Sequence, residues 1–182
     1  MNKTVLNIRK RLPTLQQIAP VFSVIVLFIY TWTTIRYLWR VPSWLYYLPL
    51  GKILTIYAYS LTVNLIESLL ILLAPITLCI FLPEKWFYNR FVSRSVAIVL
   101  LGLSYVIYLN YQMQDMDAFP RPLLNWIPLV AAVIFVSAYL IDQVKFLRKL
   151  IEEFAERATV FLYIVIPVSI VSVFVVAVRN LF

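Results

Sequence analysis

Along this chain apolar positions come in five long unbroken runs, at about 18–39, 53–82, 92–111, 123–141 and 158–178. Each reaches or approaches the roughly 20 helical residues needed to cross about 30 Å of hydrocarbon. Strands of a membrane barrel would instead give alternating segments of about ten residues. The pattern predicts an all-α integral membrane protein: a bundle of five transmembrane helices forming one domain over 1–182. The second run exceeds the core in length, so it has to tilt, bend at Pro75 or protrude.

The connections carry the remaining structure. Between Arg40 and Lys52 the chain is too apolar for a free loop and, with Pro42 and Pro49, too interrupted to span, which predicts a segment lying in the interface. Trp39, Trp44, Tyr46 and Tyr47 would form an aromatic belt there, with Trp86, Phe87 and Tyr88 on the opposite side and Trp126 near the start of the fourth helix. The connection 142–157 holds no Gly or Pro, and Val144, Leu147, Ile151 and Phe154 follow at spacings of three, four and three, one face of an amphipathic helix between helices four and five. It reads either as an extension of the fourth helix returning along the membrane surface or as a docking helix for a partner. Glu153 and Arg157 stand at i,i+4 spacing and predict an exposed ion pair.

Cations set the orientation. Lys3, Arg9, Lys10, Arg11, Lys85, Arg90, Arg94, Lys145, Arg148, Lys149 and Arg157 fall on one side, eleven of the sixteen; Arg36, Arg40, Lys52, Arg121 and Arg179 fall on the other. The positive-inside rule then places the N-terminus in the cytoplasm and the C-terminus outside, with a bacterial plasma membrane as the expected location. The net charge of +8 is directed at anionic lipid headgroups flanking the spans rather than at nucleic acid. The basic N-terminus followed by an apolar run resembles a signal peptide, but the run is long and leads into Trp32, Arg36 and Trp39 with no small-residue cleavage site, so it is read as a retained helix.

Missing residue types exclude much chemistry. With no histidine the chain lacks the usual haem and zinc imidazoles and the commonest general base. Cys79 is the one cysteine, so no internal disulfide or thiolate cluster forms; a buried structural role is expected for it. Gly51 and Gly102 are the only glycines, too few for a phosphate-binding loop, a dinucleotide fingerprint, a nucleophile elbow or a Gly-x-x-x-Gly dimer face. No cofactor is expected.

Glu67 in the second run is the most suggestive position, since a carboxylate at that depth has to be neutral, hydrated by a cavity or hydrogen-bonded. Ser60, Asn64, Glu67 and Ser68 share one helix face, and Ser104, Tyr105 and Tyr108 on the third helix are expected to face it. The cluster reads either as a hydrogen-bonded helix-pairing device or as a relay, headgroup or quinone site. Asp115 and Asp117 with Arg121 form an outer loop read as solvated, since a calcium loop needs more oxygens and a specific turn.

Three functions fit. The first is a non-enzymatic accessory or assembly subunit of a larger membrane complex, with lipids and other membrane subunits as partners. The second is a small transporter or lipid- or quinone-binding protein built around Glu67. The third is a membrane anchor for an enzyme with an extracytoplasmic catalytic domain; in layout alone the five-helix arrangement resembles the membrane portion of lipoteichoic-acid-synthase-type enzymes.

Overall fold

The computed structural model describes residues 13–83, 86–113 and 121–181, and side chains in the fourth helix from Trp126 onward. Five long helices follow in order: α1 Leu15–Trp44, α2 Leu50–Phe81, α3 Phe91–Gln112, α4 Arg121–Gln143 and α5 Lys145–Leu181, with a single 3-10 turn, Tyr88–Arg90, leading into α3. No strand occurs among the described residues. All five helical segments are long and apolar enough to cross a membrane. The N-terminal cations up to Arg11, together with Lys85, Asp115 and Asp117, lie outside the described residues, as does the Arg121 side chain.

Local chemistry explains several boundaries. Thr14 caps α1, its N–H donating to Oε1 of Gln17 at 3.1 Å, half of a capping box. The short turn after Trp44 ends at Pro49, and α2 ends at Leu82, which is extended (ψ 153°) directly before Pro83. The stop of α2 uses proline's restriction on its predecessor rather than a glycine. Pro20, Pro42, Pro75, Pro128 and Pro167 all lie inside helices. The interfacial segment expected after Arg40 is correspondingly short: α1 runs on through Pro42, whose missing N–H falls in the last turn, where it forfeits a single bond.

The fifth helix differs most from expectation. The amphipathic stretch 142–157 is not a separate helix: a bend at Val144 ends α4, and Lys145 begins one continuous helix of 37 residues. At about 1.5 Å per residue it is roughly 55 Å long, well beyond a hydrocarbon core. With no Gly or Pro before Pro167, nothing in the sequence stops the helix between the charged start and the apolar span.

α1 is the centre of the bundle. It packs on α2, α3 and α5 and separates α2 from α3, while α4 is held at the margin by α3 and α5. Val21, Val24, Ile25 and Val26 are completely or almost completely buried, followed by Ile29 and Tyr30. Small residues of α5, Ala155 and Ala158, sit against this surface, and Ser23 Oγ reaches the Ala155 carbonyl at 3.3 Å, so the two backbones approach closely without a glycine pair. Cys79 is buried in the same core, as the sequence suggested.

Polar side chains tie the hub to its neighbours. The Tyr30 hydroxyl lies 2.6 Å from Ser169 Oγ on α5 and donates to the Leu61 carbonyl on α2 at 3.3 Å. Thr33 donates to Asn64 at 3.1 Å, Thr34 meets Tyr57 at 3.0 Å, and Tyr37 donates to the Ile53 carbonyl at 3.0 Å. Packing outweighs these bonds. Ile25→Ala is expected to cost about 2–5 kcal/mol through cavity formation, whereas Tyr30→Phe is expected to cost about 1 kcal/mol or less, both read from unfolding of the purified protein in detergent. Equal losses would mean that the hydrogen bonds, rather than the apolar face, hold α1 in place.

Candidate functional site

The polar face of α2 is present but graded. At roughly 100° per residue, Asn64 lies about 40° and Ser68 about 80° round from Ser60, with Glu67 about 20° the other way. Burial follows that angle: Ser68 is fully buried, Asn64 nearly so, Ser60 half-buried and Glu67 exposed. Ser68 and Ser60 bond back to carbonyls of their own helix, Asn64 at 2.7 Å and Ile56 at 3.0 Å, a local solution for hydroxyls. Only Asn64 reaches across to α1, and its amide nitrogen has no partner among the described residues.

The third-helix partners are not where the spacing placed them. Leu103, Ile107 and Asn110 face a groove of about 240 Å³ between α1 and α3 with Glu67 at its side, while Ser104 and Tyr108 are exposed and Tyr105 is half-buried. Relative to Leu103, these three residues are turned by about 100° or more, so none meets the α2 stripe. Tyr108 is instead the acceptor for its own helix neighbour Gln112 at 3.2 Å. Glu67 makes no hydrogen bond or ion pair with another described residue. Near the groove, Arg36 lies 5.3 Å from the ring centre of Trp32 and donates to Asn110 at 2.9 Å, joining α1 to α3.

At the other end of α3 is a cluster that sequence reasoning missed. Asp142, with its side chain fully buried, receives Arg94 through Nε at 2.8 Å and Nη2 at 2.7 Å, and Arg90 through Nη1 at 3.0 Å. All three contacts converge on Oδ2; Oδ1 has no partner among the described residues. Arg90 also donates to the Asp142 main-chain carbonyl at 3.2 Å, meeting the negative end of the α4 dipole. Arg94 lies 5.2 Å from the ring centre of Tyr139, which stacks on Trp86 at 5.6 Å. The signal was an i,i+4 arginine pair at the start of one apolar run and a lone aspartate at the end of the next. Both had been read only as flanking charge.

The docking stripe also divides. Ile151 turns into the core with Ala155 and Ala158, whereas Val144, Leu147 and Phe154 are exposed, joined by Phe146 and Leu150. Glu153 pairs backward with Lys149 at 3.6 Å rather than forward with Arg157. That exposed pair contributes little.

Among the described residues no three acidic or cysteine side chains gather where a metal would sit. What the described polar groups offer is charge and hydrogen bonding at the two ends of a helical bundle whose composition is that of a multi-pass membrane protein. Comparison with protein families, curated proteins and solved structures gives no match.

The buried cluster yields a stability prediction. Asp142→Asn strands two guanidiniums and is expected to destabilise the protein by about 3–5 kcal/mol, whereas replacing Arg94 and Asp142 together by Met and Leu restores most of the loss. Detergent melting of the single and double variants checks this; a double variant no better than the single one would remove the ion pair as the cause.

Proposed function

We propose that this chain is a non-enzymatic subunit of a larger membrane assembly, N-terminus in the cytoplasm and C-terminus outside a bacterial plasma membrane, and that it docks through the start of α5. The supporting observation is a conflict of composition and exposure. Seven of the thirteen residues 145–157 are charged, and each such group at the centre of a bilayer costs about 3 kcal/mol on insertion scales, so this part of α5 stays outside the hydrocarbon. Yet it leaves Phe146 73% and Leu150 54% exposed, beside Val144, Leu147 and Phe154. Lipid tails do not cover such side chains there; another protein chain does. The distribution of cations supports the orientation.

A membrane-impermeant amine cross-linker reaching Lys145 and Lys149 tests both parts. In inverted vesicles the wild type is expected to join a stoichiometric partner subunit, and Phe146→Asp with Leu150→Asp to lose it while melting unchanged. Cross-linking confined to right-side-out vesicles would refute the orientation; undiminished capture by the double variant would refute the docking face.

A second reading, transport or lipid or quinone binding at Glu67, is favoured by that carboxylate's exposure beside the groove shared with Thr33 and Asn110. In proteoliposomes loaded with a pH-sensitive dye, it predicts wild-type proton flux above that of empty vesicles and Glu67→Gln at the empty-vesicle level. Wild-type flux no greater than that of empty vesicles ends the proton-relay form of this reading.

A further inference from the structure

We propose that the pocket between α3 and α4 seats one acyl chain of an anionic glycerophospholipid, with the lipid phosphate at Arg94 and Arg90. The pocket measures about 230 Å³ and its walls are apolar, among them Leu82, Ile98, Phe135 and Val136, with Trp86 and Tyr139 stacked across one side. Among the described residues Arg94 is the only charged side chain in the lining. An apolar cavity of about 150 Å³ accommodates benzene, so this one takes a stretch of single chain rather than both tails of a lipid.

Charge selects the head. Two guanidiniums share one carboxylate, which leaves one positive charge in excess among the described residues of the cluster. Arg94 is buried, and its Nε and Nη2 are committed to Asp142, but no hydrogen bond with a described residue engages Nη1. A guanidinium carries five N–H donors, and those left over in an apolar surrounding favour an oxyanion. Arg90, with 41% of its side chain exposed, lies at the outer edge of the same cluster, where a phosphate would meet water as well.

Depth agrees with charge. Arg90 ends the 3-10 turn that leads into α3, Arg94 lies in the first turn of α3 and Asp142 in the last turn of α4, with the exposed indole of Trp86 beside them, the arrangement of an aromatic belt at headgroup level. Ile98 lies one turn further along α3, and Phe135 and Val136 about two turns back along α4, toward the middle of both helices. The polar-to-apolar gradient of the pocket thus runs in the same direction as that of a lipid. Basic pockets between transmembrane helices are a known form of headgroup site.

The test uses the full chain purified in detergent and titrated with phosphatidylglycerol or phosphatidylcholine of matched chains, bound lipid being counted by native mass spectrometry. The wild type is expected to retain phosphatidylglycerol about five-fold better, the effect of roughly one basic group at a membrane surface. Arg90→Gln, which leaves the Arg94–Asp142 pair intact, should erase that preference; Val136→Trp, which fills the pocket from its exposed side, should lower retention of both lipids. Unaltered melting of each variant confirms that it is folded, and brominated phosphatidylglycerol should quench fluorescence that Trp86→Phe removes. Equal retention of the two lipids by the wild type, a preference that survives Arg90→Gln, or retention that Val136→Trp leaves unchanged overturns the proposal. Displacement of phosphatidylglycerol by oleate at equal concentration would assign the pocket to a free fatty acid and overturn it likewise.

Discussion

A polar group held between helices in lipid has to find its partner inside the protein, because hydrocarbon offers none. Most hydroxyls here meet that constraint locally. Ser60, Ser68 and Ser172 donate to carbonyls one turn back on their own helices, so they occupy little space and leave the helix surfaces nearly apolar. Bulky α1 side chains can then pack against α2 and α5 without a Gly-x-x-x-Gly face. Four of the side chains that cross between helices, Tyr30, Thr33, Thr34 and Tyr37, belong to α1. Non-directional packing supplies most of the stability, and these directional contacts set which helix lies where.

α4 obeys the same constraint in a harsher form. It is marginal in the bundle, and most of its described apolar side chains face outward. Its end is fixed by Asp142, a charge that must be compensated wherever it is buried. The arginine pair at the entry to α3 does so while Arg90 also takes up an α4 carbonyl, so one set of guanidiniums neutralises a side chain and completes a helix terminus. Only the bend at Val144 separates this end from the start of α5. The end of α4 is therefore set by one ionic cluster, even though such a cluster is weak as a source of net stability.

The long apolar helices were legible because a run of about 20 apolar residues has few soluble interpretations. Five helices were expected and five are present, with α1 extended at both ends. Helix continuity was less legible: charge at 145–157 implied a change of environment, and that was read as a change of element, although a helix passes from water to lipid without breaking if no residue obstructs it. Helix phase was legible on α2, where Asn64 and Ser68 face inward, but not between helices. Periodicity gives the residues that share a face and leaves open what that face meets, which is why Ser104, Tyr105 and Tyr108 were assigned to a stripe that α1 separates from them. The Arg90–Arg94–Asp142 cluster depends on the same missing information, the pairing of α3 with α4.

In water, an exposed apolar surface distinguishes a binding face from the rest of a protein; in a membrane it does not, since lipid tails are as apolar as leucine. The outward faces of α4 and α5 are thus silent about function, however large they are. Specific recognition has to come from positions where polarity changes along a helix. At one end of this bundle those are Arg90, Arg94 and the charged start of α5; at the other, Arg36 with Asn110 and Trp32, one or two turns from Glu67. The two ends differ in kind. In the first, charges are paired and shared between helices around a buried carboxylate; in the second, Glu67 stays exposed beside a groove, with no described residue bonded to it.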